Sequence, residues 1–149
     1  GWCPNDGTSG ANNLDVRDAW PGEQYVDVVG VDSYNWWPFA YTADEFAARL
    51  DKTGPNGAPH GLDTWRAFAE QKGLPLAICE WGSTAVDKDG GGGGDSPGYM
   101  ETFHAWLTAH GGTGPGQVEY EVLFNQWDNF ELWPDTLQPQ AAAKYRDLW

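Results

Sequence analysis

The chain has 149 residues, room for one ordinary domain, and its 40% hydrophobic content with ten Trp, six Tyr and six Phe suffices for a core, which excludes general disorder. Eight Lys+Arg against 22 Asp+Glu give a net charge of −14, which repels nucleic acid and anionic membranes at long range and suits a neutral substrate. No stretch approaches the roughly 20 apolar residues of a membrane-crossing helix, and no signal peptide is visible.

The opening Gly-Trp-Cys-Pro-Asn reads as a strand end, carrying Trp2 and Asn5. Tyr25 to Asn35 is β-branched and apolar on both parities, the mark of a strand buried on both faces, as parallel strands are. A short helix follows from Thr42 to Leu50, where Thr42 and Glu45 have the spacing of a capping box. Leu62, Trp65, Phe68 and Ala69 recur at helical spacing, and Gly73 sits where a C-terminal cap belongs, so a helix covers 62–72. Leu76 to Glu80 is the next strand, and Asp87 to Gly98 a glycine-rich loop. Ser96-Pro97 then starts a helix with Met100, Phe103 and Leu107 on one face. Glu119 to Asn125 is a further strand, and Pro139 to Leu148 the final helix. Alternation of this kind predicts a parallel sheet with helical crossovers.

Each predicted strand ends in polar or aromatic residues: Trp2 and Asn5; Asp32, Tyr34 and Asn35; Glu80 and Trp81; Asn125, Trp127 and Asp128. Parallel units put all such ends on one rim. Glu80 stands out because the apolar run Leu74 to Cys79 delivers its carboxylate straight into the aromatic, glycine-containing Trp81-Gly82-Ser83. An α/β barrel presents a catalytic acid in that way, and flanking tryptophan suits the apolar face of a sugar. The bland reading of Glu80 is an ion-paired or rim-exposed acid. Asp32, one layer deeper on the strand that ends in Tyr34, fits a hydrogen-bond network better than direct chemistry. Asp128 and Glu131 read as solvated loop acids, and Trp65, Trp106 and Trp149 as helix-borne core.

Cys3 and Cys79 lie near the ends of strands that would not be neighbours, so small buried thiols are favoured over a disulfide. The Asp87–Asp95 run lacks the acid at Gly91 and the Glu at Gly98 that a calcium loop requires, which leaves a flexible surface loop. His60, His104 and His110 lack the paired spacing of a zinc site, and no serine elbow is present. Neither a metal nor a cofactor is expected.

The segments Pro21 to Asn35 and Ile78 to Ser83, with Trp2-Cys3-Pro4-Asn5, Leu132-Trp133-Pro134 and Pro139 to Trp149, resemble family-26 glycoside hydrolases over nearly the whole chain. The resemblance implies a (β/α)8 TIM barrel, of which residues 1–149 supply roughly strands five to eight as a partial catalytic domain. A complete barrel needs about 250 residues. It implies that Glu80 is the nucleophile and that Tyr34 orients it. Trp2, Trp36, Trp37, Trp81 and Trp127 become sugar-stacking positions, and Asn5 and Asn35 further substrate contacts. The acid/base glutamate would lie in the missing N-terminal half, so the isolated chain is expected to hydrolyse negligibly. The implied substrate is a β-1,4-linked polysaccharide, β-mannan first, then mixed-linkage β-glucan or xylan, and the implied location is extracellular. The rival reading is a non-catalytic carbohydrate-binding protein with the same aromatic rim. A half barrel also leaves strand edges unpaired, which predicts aggregation, dimerisation or partial disorder.

Overall fold

The computed structural model describes residues 1–5, 15–36 and 39–149. Among these, three strands and four α-helices follow in the predicted order: β1 (Val29–Tyr34), α1 (Ala43–Leu50), α2 (Leu62–Gln71), β2 (Leu76–Gly82), α3 (Pro97–His110), β3 (Val118–Leu123) and α4 (Pro139–Leu148). Val29 N donates to the Pro75 carbonyl and, further on, Asn35 N to that of Gly82; Leu76 N donates to Gln117 and Phe124 N to Trp81. Each pair of bonds advances in the same sense along both strands, so the sheet is parallel, in the order β1-β2-β3. Helices make the crossovers between successive strands, as a parallel sheet requires.

The local signals act as their chemistry dictates. Glu45 N donates to Thr42 Oγ1 at 3.2 Å and Thr42 N to Glu45 Oε2 at 3.0 Å, the reciprocal capping box that starts α1. α2 ends at Gly73 with φ 71°: Gly73 N donates to Glu70 and Leu74 N to Ala69, closing the last carbonyls of the helix. Ser96 Oγ accepts from Tyr99 N at 3.2 Å and opens α3. No helix among the described residues is long and apolar enough to cross a membrane. The first strand begins at Val29 rather than Tyr25, which lies in a 3₁₀ turn (Glu23–Tyr25) and is exposed.

The chain divides into two compact units: Gly1–Ser33, Arg49–Glu80 and His110–Val122 in the first, and Tyr34–Ala48, Trp81–Ala109 and Leu123–Trp149 in the second. In the first unit Val29, Val31, Trp65, Phe68, Leu76 and Ile78 are buried. Trp2 adds its backbone to the edge of β1, donating to Val28 and accepting from Gly30. Its half-buried ring meets Trp20 edge to face at 5.0 Å and lies 6.1 Å from both Trp65 and Phe68. These contacts give the Trp2 ring a packing role beside the sugar-stacking one expected for it. Asn5 is exposed.

Cys3 and Cys79 form a disulfide, contrary to the expectation of free thiols. The strands that carry them are indeed not neighbours. Gly30 lies between them, and because it has no side chain the two sulfurs meet across it.

In the second unit Phe46, Trp81, Tyr99, Met100, Phe103 and Trp106 are buried, with Ala141 and Ala142 of α4. Trp149, expected in the core, stacks on Tyr145 at 4.8 Å yet remains exposed, because it follows the last turn of α4.

Candidate active site

β2 carries Glu80 from the core to solvent. Leu76, Ala77 and Ile78 are buried, Cys79 is half-buried and fixed by its bridge, and Glu80 is exposed. An apolar strand thus ends in an accessible carboxylate whose preceding residue is covalently anchored. Cys3 Sγ lies 3.5 Å from Asp32 Oδ1, so Asp32 packs against the bridge.

The register between β1 and β2 explains where the next residue goes. Between two of their backbone bonds, at the start and the end of the pairing, β1 advances six residues, Val29 to Asn35, and β2 seven, Pro75 to Gly82. β2 therefore holds one extra residue, a bulge, and a bulge reverses the alternation of side chains beyond it. Cys79 shares a face with Gly30, and a Cβ on Gly82 would lie 3.4 Å from the Tyr34 ring. Gly30 and Tyr34 have the same parity on β1, whereas Cys79 and Gly82 differ in parity on β2, so the extra residue falls around Glu80 and Trp81. Trp81 consequently turns to the helices, 4.5 Å from Phe103 and 5.2 Å from Trp149. It is fully buried, which corrects the expectation that it stacks on sugar.

The strand ends of the second unit build an aromatic cluster. The Tyr34 ring is 5.9 Å from Phe124 and 5.3 Å from Phe130. Phe130 stacks on Trp36 at 5.9 Å with 21° between planes, and Phe124 meets Trp127 edge-on at 5.1 Å. Trp36 is 42% and Trp127 72% exposed. Of the expected stacking residues, then, Trp36 and Trp127 present rings to solvent, while Trp37 lies outside the described residues. Phe124 and Phe130, which join the others, were not singled out from sequence; the parity of Phe124 just past β3 and the placing of Phe130 three residues after Trp127 were the only signals.

Asn35 is fully buried and its amide is engaged, Oδ1 accepting from Ala40 N at 2.7 Å and Nδ2 donating to the Ala40 carbonyl at 2.9 Å. It cannot face a substrate, which corrects its assignment as a substrate contact. The glycine-rich loop is also more ordered than its composition implies. Asp87 Oδ1 accepts from Asp89 N and Gly90 N, Gly92 bridges Trp36, Gly93 N donates to the Asn35 carbonyl, and Gly92, Gly93 and Gly94 are buried.

Among the described residues the His, Cys, Asp and Glu ligand atoms that come within 4.8 Å of one another belong to Cys3, Asp32 and Cys79. The two sulfurs are bonded to each other and so offer no thiolate to an ion. Asp128 is exposed and Glu131 half-buried.

No family model matches the chain, and no curated protein matches it in sequence. Its fold, an α/β arrangement on a parallel sheet, is similar to part of a barrel enzyme of glycoside hydrolase family 26. A double mutant of a Cellulomonas fimi endo-β-1,4-mannanase aligns with it at a TM-score of 0.54 and 20% identity, over 98% of this chain. A modular endo-β-1,4-mannanase from Cellulomonas fimi, a family 26 enzyme, aligns at a TM-score of 0.51 and 23% identity, over 95% of this chain. The chain spans only 30% and 29% of the length of those two chains. The family resemblance carried by the strand-end motifs thus recurs in the fold.

Proposed function

We propose that the chain contributes the nucleophile and an aromatic substrate wall to a retaining endo-β-glycanase acting on β-1,4-linked polysaccharide, β-mannan foremost, with mixed-linkage β-glucan or xylan next. The observation that carries this reading is Glu80, an exposed carboxylate at the end of an apolar strand in a fold similar to part of a family 26 mannanase. In a retaining mechanism two carboxyl groups stand about 5–5.5 Å apart. Glu80 attacks the anomeric carbon and the sugar–oxygen bond breaks as the partner acid protonates the leaving oxygen. The same partner then takes a proton from water, which releases the sugar and frees Glu80. Tyr34 is the group proposed to orient Glu80 through its hydroxyl, and the rings of Trp36 and Trp127 to hold the polysaccharide. The acid/base partner is proposed to come from the N-terminal half of a barrel of which this chain is roughly the C-terminal half, and the protein to act outside the cell.

The test is a mechanism-based fluorosugar or epoxide on the full-length protein, followed by peptide mapping. Esterification of Glu80, together with a loss of turnover of at least about a thousandfold in Glu80→Gln, supports the reading; labelling elsewhere defeats it. The 149-residue chain by itself should show negligible hydrolysis of mannan or β-glucan, and strong turnover would count against the shared-site arrangement.

A second reading is favoured by the open rings of Trp36 and Trp127: a non-catalytic carbohydrate-binding protein in which Glu80 only hydrogen-bonds. Tight binding of oligosaccharide without covalent labelling would select it.

A further inference from the structure

Asn35 and Asn125 occupy corresponding places, just beyond the ends of β1 and β3, and each commits both ends of its amide to the loop that follows. Asn35 takes Ala40 N at Oδ1 and gives Nδ2 to the Ala40 carbonyl, at 2.7 and 2.9 Å. Asn125 Oδ1 accepts from Leu132 N at 2.7 Å, and its Nδ2 donates to the Trp133 carbonyl at 2.9 Å. Asn35 directly precedes Trp36, and the loop that Asn125 closes contains Trp127.

The clamps are reinforced from below. Asn35 also donates its backbone N–H to Gly82 and accepts from Gly93, so the chain entering Trp36 is held on two further sides. Phe130, within the second loop, stacks on Trp36, and Phe124, just before Asn125, meets Trp127. The Phe124 and Phe130 rings lie 5.8 Å apart, so both tryptophans stand on one aromatic base. A ring on an unclamped loop binds sugar only after the loop is ordered, at an entropic cost; in the loop that Asn125 closes, the ordering is completed on folding.

We propose that Asn35 and Asn125 are positioning residues for glycan binding, each holding one tryptophan, Trp36 or Trp127, ready to stack on a pyranose ring of a β-1,4-linked hexose chain. The inference rests on the glycan reading above and deepens it by assigning the geometry of two substrate loops to two side chains that touch no sugar themselves.

The test uses the full-length protein, with mannohexaose and cellohexaose as probes, and compares affinity, KM and kcat. Asn125→Asp keeps the acceptor for Leu132 N but loses the donor to the Trp133 carbonyl. It should raise KM and Kd about tenfold while kcat moves far less, and the loss should match that of Trp127→Ala. The double variant should lose little more than either single one, because the amide acts through the ring. Asn35→Ser with Trp36→Ala forms the parallel set. Should the buried Asn35 variant fail to fold, the partly exposed Asn125 set decides alone. A folded Asn125→Asp with wild-type affinity overturns the proposal, and so does a fully additive double variant. Wild-type protein that binds the probes while Trp36→Ala and Trp127→Ala bind equally well sinks this inference but leaves the glycanase reading standing. Wild-type protein that binds neither probe sinks both.

Discussion

Gly30 lies beneath the Cys3–Cys79 bridge so closely that a single methyl group there would run into Cys79 Sγ and come within 2.8 Å of Cys3 Cβ and 2.9 Å of Cys3 Sγ. Neither the bridge nor the strand between can give way cheaply, since β1 is hydrogen-bonded on both sides. The bridge spans 76 residues of sequence, a loop for which chain-entropy arguments give about 4 kcal/mol of stabilisation. At about 2–4 °C per kcal/mol in a chain of this size, Cys3→Ser should lower Tm by on the order of 10 °C. Gly30→Ala should do comparable damage and leave free thiol detectable by titration in denaturant. A Gly30→Ala protein with wild-type Tm and no free thiol would contradict this packing.

Trp127 sits at φ 57° and Asp128 at φ 27°, in the left-handed region that glycine, asparagine and aspartate enter readily but a bulky residue does not. A bulky residue there costs about 1–2 kcal/mol, which buried packing would have to offset, yet the Trp127 ring is largely exposed. Strain tolerated in order to present an open ring fits ligand stacking. Trp127→Gly should therefore hold stability within about 1 kcal/mol, or raise it, while oligosaccharide affinity falls about tenfold. Chemical denaturation and calorimetric titration on the same samples check both halves. A stability loss beyond about 2 kcal/mol would make the ring a packing group instead.

The elements were readable because their signals are local: the apolar run of β1, the three-residue spacing of Thr42 and Glu45, the glycine after α2. What could not be read depended on a neighbouring strand. The disulfide needed the knowledge that the residue between Cys3 and Cys79 is a glycine. The orientation of Trp81 needed the register of β2 against β1, because period-two alternation carries no sign of an extra residue. The loop at Asp87 to Asp95 has the composition of a mobile linker, but its glycines answer to packing. A Cβ on Gly93 would run into the Asn35 amide, and one on Gly92 would lie 2.7 Å from Thr84 Cγ2. Glu80, Trp36 and Trp127 are exposed near strand ends, as the sequence predicts, but Trp81 and Asn35 at equivalent places are buried, so position past an apolar run proposes exposure and the neighbouring strand decides it.

His110, at the end of α3, gives a pH handle. Burial, and after it the Arg66 charge, hold its imidazole below the ordinary 6.5, with Asp63 opposing. A depressed histidine binds its proton more readily in the unfolded chain, so stability is intact above pH 6.5 and declines as pH falls toward the folded-state value. Wild-type and His110→Gln proteins melted across pH 8 to 5 should show wild type losing stability relative to the variant below about pH 6.5. His60 and His104 are common to both and cancel. A difference in Tm that stays constant over that range would remove His110 as the cause.

β3 ends the sheet order among the described strands, and its alternation leaves Tyr120 46% and Val122 48% exposed on one side, with Glu119 and Glu121 at the intervening positions. At its start this edge is covered, Gly111 bridging Val118 and Gly112 N donating to the Val118 carbonyl. An apolar face in solvent beside the edge of a sheet is still a template for another strand. The 149-residue chain should therefore self-associate, with apparent mass rising as concentration approaches about 100 μM in size-exclusion chromatography with light scattering. Val122→Lys places a charge on the open face without removing a backbone donor, so it should suppress association while leaving the thermal transition of the monomer within a few degrees. Because the acidic residues at positions 119 and 121 already repel like copies, raising salt should promote association of the wild type. A compact monomer that melts cooperatively at every concentration would show that this edge is satisfied within the chain itself.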